Sequence, residues 1–516
     1  MLIVLFGLIL RLHNLGKYSL WFDEAINLLL GPKYLWAGLM DKAFKTPELS
    51  LVSLFPVLVH FWKFLGKSEF ILRLLPLAFG VFSIIGIYMI AKLLFDKKIA
   101  ELSAFILSVS PLHVYYSQEL KYNTLIVFLS IFSVYFYIKS LRESKLIFWL
   151  AFTAFTILDI YVFFMTVFLL VSLNAHYLLY FNKYKKLAHK WAASQAVIVF
   201  FLIPWAIRIF QQILNPDPFS LFGWIQRPNL LTLTDTFRIF NTGYGASFFI
   251  GYSAVFLCLF LFLAGVINIA ADRKQELSLL LSWFLVPVIL IYIVSLTEKP
   301  VFLHRSLIYV TPAYYIILAC GLAGIRNKLI WIPFILLTIF FFIPLRNQFD
   351  NILPLASVSP ANNNLPMPLI SIYHPGVFLK VENKPAAEYI ERNLREGDVI
   401  GHVTFNSLLP FIYYHSGKFD EKCIGEVNHL SNKFYHFHSD PIFQKRFSFV
   451  DVKEFTKGKG RIWVIISFYG LLDRKSPVRY RERAARLRTW LDKNCGLIDS
   501  KDFLGLKVNL YQIKPR

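Results

Sequence analysis

Two adjacent carboxylates, Asp23 and Glu24, stand in the stretch SLWFDEAINLLL, whose other residues are mostly aromatic or aliphatic. An ionisable group near lipid is costly, so its presence there asks for a reason. Adjacent residues on a helix point about 100° apart. The pair therefore cannot meet one substrate atom together, and one member is a candidate for chemistry while the other is a candidate anchor. Taken alone, the pair also reads as solvated loop charges or as the partner of a helix N-terminus. A second stretch, PLHVYYSQELKYNTL, places Glu119 two residues before Lys121, with Tyr122 next. That spacing suits either a turn with a local ion pair or an acid and a cation acting on one ligand. In a third, KPVFLHRSLIYVTP, His304 and Arg305 precede an apolar run. The Arg305 fork fits phosphate oxygens, and an Arg here can equally reach out to lipid headgroups. Arg73, in SEFILRLLPLAFG, is a cation of the same kind. His304 reads as a packing or hydrogen-bonding residue. No HExxH, CxxC or comparable spacing occurs, so no dedicated protein metal cage and no cofactor is expected. The chain also lacks a Gly-rich phosphate loop, which speaks against a nucleotide as direct substrate, and no nucleic-acid partner is expected.

These residues sit between long apolar runs. The chain has 516 residues, is 56% hydrophobic and has a mean hydropathy of +0.54. Runs of about 18 or more apolar residues recur, each long enough for a hydrocarbon core of about 30 Å. A mainly helical, multi-span membrane protein follows. Eleven apolar segments are read at roughly 1–12, 70–95, 99–117, 122–138, 146–158, 160–181, 190–212, 245–270, 277–297, 304–324 and 328–345. The first is short, which suggests a true start further upstream. The run 146–181 is expected to be a hairpin with Asp159 in its outer turn. The loop 13–69 is rich in aromatic, amphipathic segments that suit the membrane interface. Were parts of it to cross, the count would become twelve or thirteen.

The net charge of +22 is concentrated in alternate loops. Residues 96–98, 139–145, 182–190, 271–274 and 325–328 are short and basic, and the positive-inside rule assigns them to the cytoplasm. Asp23, Glu24, Glu119, Asp159, Arg305 and everything after residue 346 are then expected on the extracytoplasmic side of the cell (inner) membrane.

Beyond 346 the composition changes. Residues 346–380 read as a linker and 381–516 as a soluble α/β domain, with the transmembrane module at 1–345. Helices are expected at KPAAEYIERNLREGD, SLLPFIYYH and RYRERAARLRTWLDKN, and strands at DVIGHV, GRIWVIISF and FLGLKVNLYQIK. Cys423 and Cys495 lie here and could pair in an oxidising compartment, while Cys258 and Cys320 lie in apolar spans. No internal repeat is visible, which disfavours an inverted-repeat transporter. A lipid or polysaccharide transporter and an oligosaccharide polymerase or ligase are alternative readings of such a chain.

In their order, RLHNLGKYSLWFDEA, SEFILRLLPLAFG, SPLHVYYSQELKYNTL and HRSLIYVTPAYYIILACGL resemble the polytopic glycosyltransferases that use lipid-phosphate sugars. These are the dolichyl-phosphate-mannose protein mannosyltransferase-like family (glycosyltransferase family 39-like) and its bacterial relatives, the aminoarabinose transferases. The resemblance covers about 1–345, and KPAAEYIERNLREGDVI looks like the soluble domain that many of them carry. It implies a GT-C fold and a polyprenyl-phosphate sugar donor. It also implies a lipid, glycan or protein acceptor and inversion at the anomeric carbon. By resemblance Asp23 is the catalytic carboxylate, and Glu24 positions it or the sugar with Trp21 beside them. Glu119 orients acceptor or sugar. Arg305, Lys121 and Arg73 offset charge on the departing phosphate, with Tyr122, His304 and Asp159 as further substrate-binding positions. The chain departs from the family at 45–48, where Lys-Thr-Pro-Glu replaces a His-Pro-Pro-like motif, and at Asp159-Ile160-Tyr161, where many relatives carry His. Lys121 stands where an Arg is usual. These departures bear on the donor and on any divalent cation bound by metal-dependent members.

Overall fold

The structure, a computed structural model, describes residues 1–29, 54–214, 225, 227–297, 300–325, 327–352, 380–425, 449–467 and 478–515. The chain divides into two compact units: Met1–Leu15 with Leu51–Leu58 and Phe70–Ala356, and Gly16–Ser50 with Val59–Glu69 and Ser357–Arg516. Of the described part of the first long loop, residues 16–29 and 59–69 cluster with the C-terminal residues, and 13–15 and 54–58 with the spans. The 45–48 departure and most of the linker 346–380 lie outside the described residues.

The first unit is helical. In hydrocarbon a backbone must satisfy its own polar groups, and an unbroken apolar run does so only as a helix. Each of the eleven apolar segments falls on a helix or a helix pair. Among the described residues seven helices are long and apolar enough to cross a membrane, and an eighth span arises if Lys97–Val109 and Pro111–Ser117, bent by 58°, count as one. Leu2–Leu12, Leu146–Val162 and Phe164–Leu179 are shorter apolar helices. Pro111 lacks an N–H and opens a new helix, so the bend falls just before it. That break leaves carbonyls without helical partners. Arg11, fully buried, fills the gap. Its guanidinium donates to Leu107 O at 3.2 Å, Ser108 O at 2.8 Å, Gly7 O at 3.0 Å and Ser117 Oγ at 3.1 Å. Elsewhere Phe248–Asp272 and Thr311–Ala323 touch backbone to backbone. A Cβ on Gly321 would lie 1.9 Å from Leu261 O and one on Gly265 2.1 Å from Ile317 O, so this approach needs glycine on both helices.

One expectation is corrected. Asp159 is not in the hairpin turn: helix Leu146–Val162 runs one turn past it, and the chain breaks at the extended Phe163. The residues IYV after Asp159 are apolar, and they continue the helix because nothing there stops it.

Among the described residues the second unit carries a six-stranded sheet. Its strands are β1 (Val399–His402), β2 (Glu421–Gly425), β3 (Phe449–Asp451), β4 (Arg461–Ser467), β5 (Cys495–Phe503) and β6 (Leu506–Ile513), in the order β3-β2-β1-β4-β6-β5. The first four are parallel, while β6 runs antiparallel to both β4 and β5. Side chains alternate across a strand. Trp463 and Ile465 accordingly meet Ala386, Ala387 and Ile390 of helix Asn383–Asn393, while Ile462 and Val464 meet Leu487 and Leu491 of helix Val478–Asn494. The three expected strands and three expected helices all occur, while β2, β3 and β5 were not anticipated. Cys423 and Cys495 are both buried and no disulfide joins them, so the considered pairing is absent.

Under this sheet lies a buried polar cluster. His402 Nε2 is 3.2 Å and His415 Nδ1 2.7 Å from the two oxygens of Glu421, with Ser407 Oγ on His402 Nδ1 at 3.1 Å. Burial opposes the Glu421 charge, but hydrogen bonds from both rings outweigh it and hold its pKa below the ordinary 4.5. Burial also opposes protonation of His415, yet Glu421 and the Ala387 carbonyl hold its pKa above 6.5. Burial holds His402 below 6.5.

Two predictions follow from these buried charges. Arg11→Leu strands several carbonyls and is expected to cost at least about 2 kcal/mol, read as an earlier thermal transition in detergent. For the sheet unit the signs differ by group. The contributions of Glu421 and His402 are full above their ordinary values and fade as pH falls. That of His415 is full below 6.5 and fades as pH rises through its raised value. Stability should therefore fall on both sides of a mid-range maximum. Glu421→Gln should flatten the acid limb and cost about 3–5 kcal/mol, measured by unfolding between about pH 4 and pH 9.

Candidate functional site

Asp23 and Glu24 belong to the second unit, in the first turn of a helix over 22–29. Glu24 is fully buried, and its Oε2 accepts the Trp21 N–H at 3.2 Å. This is the reach-back of a capping box, which satisfies an amide that the helix leaves unpaired. Ala25 N–H closes the first turn on Trp21 O at 3.0 Å, and Asn27 Nδ2 donates to Asp23 O at 3.0 Å. Asp23 itself is partly exposed, whereas Trp21 is buried. The divergence expected for neighbours on a helix is therefore present. Glu24 is turned inward on the backbone, and Asp23 is the more accessible acid.

The remaining candidates belong to the first unit. Glu119 and Lys121 occupy the turn between Pro111–Ser117 and Asn123–Glu143, where Lys121 N–H meets Glu119 O at 2.6 Å. A solvated hairpin would leave both side chains exposed, but they are only 1% and 5% exposed. Arg305 is also buried, in the 3-10 helix His304–Val310, and its carbonyl accepts Asn123 Nδ2 at 3.1 Å. Snorkelling to lipid is thus not its arrangement. The Tyr116 and Tyr244 hydroxyls share a hydrogen bond of 2.8 Å, and both feel the charges of Arg305 and Glu119. Burial pushes the Tyr244 hydroxyl well above its ordinary value, which keeps it a neutral donor and acceptor.

His304 Nδ1 lies 2.9 Å from Thr236 Oγ1, and its Nε2 lies 3.6 Å from Asp235. Asp235 also accepts Arg238 Nε at 2.6 Å. Arg73 is buried and donates to Leu15 O at 3.1 Å. The Tyr122 ring stacks on Phe163 at 5.2 Å. Asp159 is buried too, with Ser130 Oγ donating to Oδ2 at 2.6 Å. Arg305 is thus joined to the 118–122 turn through Asn123, and Arg305 and Glu119 both act on the tyrosine pair, while Tyr122 stacks on Phe163 and His304 meets Thr236 and Asp235.

Asp235, Arg238, Tyr116 and Tyr244 were not singled out from the sequence. The readable signal was TDTFR at 234–238, an Asp–Arg pair spaced for one helix face, on helix Leu230–Thr242 in what reads as a loop. Among the described residues no group of three or more His, Cys, Asp or Glu side chains is placed to hold a metal ion. Buried cations beside an acid and two hydroxyls suit an anionic, hydroxyl-bearing ligand such as a sugar phosphate.

Residues 55–214 match the dolichyl-phosphate-mannose-protein mannosyltransferase family, a stretch that includes Arg73, Glu119, Lys121, Tyr122 and Asp159 but neither Asp23 nor Arg305. ArnT from Cupriavidus metallidurans, in its apo state, superposes with a TM-score of 0.61 at 15% identity over 99% of this chain and 97% of that one. The fold is that of the GT-C glycosyltransferases. ArnT bound to undecaprenyl phosphate gives 0.59 at 14% identity over the same shares. The arabinofuranosyltransferase AftD from Mycobacteria gives 0.52 at 11% identity, over 100% of this chain and 40% of that one. No curated protein sequence matches. The resemblance seen in the sequence holds: a GT-C module accompanied by a small α/β sheet unit.

The Asp235 carboxylate tests how the buried cluster around His304 and Arg238 is held. Asp235→Ala is expected to lower thermal stability by about 1.5–3 kcal/mol, the scale of a charged hydrogen bond. Asp235→Asn should recover part of that loss in the same detergent melt.

Proposed function

We propose that this protein is a membrane glycosyltransferase that moves a single sugar from a polyprenyl-phosphate donor to a hydroxyl acceptor, with inversion, on the extracytoplasmic face of the cell membrane. Asp23 acts as the base. It accepts the proton of the acceptor hydroxyl as that oxygen attacks the anomeric carbon and the bond to the lipid phosphate breaks. The phosphate leaves as an anion and needs no proton, so one base suffices. Lys121 and Arg305 offset the growing negative charge. Glu119 orients a sugar or acceptor hydroxyl, and the Tyr116–Tyr244 pair offers neutral hydroxyls beside it. Glu24 holds the start of the helix that carries Asp23.

The observation that carries this reading is the contrast between the two adjacent acids: one capped inward, one accessible in the first turn of its helix. The GT-C fold along the whole chain supports it, as does the undecaprenyl phosphate bound by one ArnT structure. The basic loops at 139–145 and 182–190 support the orientation. A transporter would instead call for charges along a midplane path and two similar halves. The acceptor is a lipid, a glycan or a protein.

The test compares glycolipids and glycans by mass spectrometry in cells without the gene and in cells complemented with variants. Asp23→Asn should leave the product absent while the protein is made and folds normally. Glu24→Gln should retain some transfer, with a loss of about 1 kcal/mol of local helix stability. Full product from Asp23→Asn would remove the base from the mechanism.

A further inference from the structure

The proposed chemistry places the decisive carboxylate on a loop, and a loop needs to be held. The peptide just before the Asp23 helix is gripped on both sides by the sheet unit. Leu20 N–H donates to the Tyr414 hydroxyl at 2.6 Å, and Leu20 C=O accepts Asn383 Nδ2 at 3.0 Å. Ser19 Oγ accepts the Lys384 N–H at 3.1 Å. That amide lies in the first turn of helix Asn383–Asn393, whose own N-cap residue, Glu382, makes no side-chain cap bond. Ser19 therefore caps a helix hundreds of residues away. The far end of the same loop is held by the same two helices. Tyr413 of Phe405–Tyr414 donates to Lys67 O at 2.7 Å. Glu69 accepts the Tyr414 hydroxyl at 3.1 Å and pairs with Lys384 Nζ at 3.2 Å. Behind these bonds, Phe22, Ala25, Ile26 and Leu29 pack on Leu408, Leu409, Ile412 and Cys423.

We infer that Asn383 and Tyr414 are positioning residues for Asp23, and that the α/β unit serves as the frame that sets the catalytic loop. This rests on the assignment of Asp23 as base. Tyr414 is central because its single hydroxyl both accepts from Leu20 and donates to Glu69, joining the two ends of the loop. Asn383 fixes the other side of the same peptide. The helix then starts at Trp21, whose amide Glu24 takes, and Asp23 follows two residues on. Its carboxylate is set by a chain of bonds that contains no rotatable side chain of its own until the last step. A misplacement of about 1 Å at a reacting group can cost up to about a hundredfold in rate.

The experiment uses the full-length protein in nanodiscs, as wild type, Tyr414→Phe, Asn383→Leu and Asp23→Asn. Hydrogen exchange is read at residues 16–29, with β4 as the internal reference. Transfer kinetics use the lipid extract of the deletion strain as donor. Both positioning variants should raise exchange at 16–29 by on the order of tenfold while β4 is unchanged. They should lower kcat by on the order of tenfold and leave KM for the donor within about twofold. A retained melting transition and intact β4 protection show that the unit is folded. Unchanged exchange at 16–29 overturns the inference, because the loop is then held without these bonds. Raised exchange with wild-type kcat also overturns it, because the contacts are then structural only. Transfer at wild-type rate in Asp23→Asn instead removes the base itself and leaves the exchange result standing, so the two failures read differently.

Discussion

Every buried charge in this chain must find its partners within the protein, because neither hydrocarbon nor a packed interior offers water. The arginines show how strictly that holds. Arg11 spends its guanidinium on carbonyls freed where a helix breaks, and Arg73 donates to the carbonyl of Leu15. Arg238 is matched by Asp235. Each cation sits where the backbone departs from a regular helix or where an acid is near. The irregular places are therefore the places where charge can be kept, and a site for an anionic ligand can be built only there. The bent pair at Ser110–Pro111, the turn at 118–122 and the 3-10 helix His304–Val310 are such places, and the last two hold Glu119, Lys121, His304 and Arg305.

The carboxylates follow a related rule. Glu24 and Glu421 are both buried, and both are engaged: one by a backbone amide, the other by two imidazoles. Asp23 differs in being partly accessible while its backbone is fixed. Fixed backbone with an accessible head group is what a general base requires, since it must meet its partner in one geometry without first being desolvated from a random one.

Much of this was legible in the residues. Long apolar runs dictate helices, and all eleven segments proved helical. The alternating residues of GRIWVIISF dictate a strand with two covered faces, and β4 has them. The short strands β2 and β3 were hidden because EKCIG and FVD are too brief to show a period. Strand β5 was hidden because CGLIDSKDF is polar and mostly exposed, as an edge strand should be. At the site, residue type marked Glu119, Lys121 and Arg305, but spacing could not show that they are buried. Asp235 was missed because its partner His304 is 69 positions away along the chain and only folding brings them together. Arg11 was missed although an arginine inside an apolar helix is itself a signal.

The pairing of Leu20 with Asn383 spans 363 positions. During biosynthesis the loop bearing Asp23 leaves the ribosome well before its clamp does. Until the clamp emerges that loop lacks the surface it is shaped to meet. A chain cut short before Asn383 and Tyr414 lacks the clamp that holds Leu20, so the sheet unit doubles as a mark that translation has passed it.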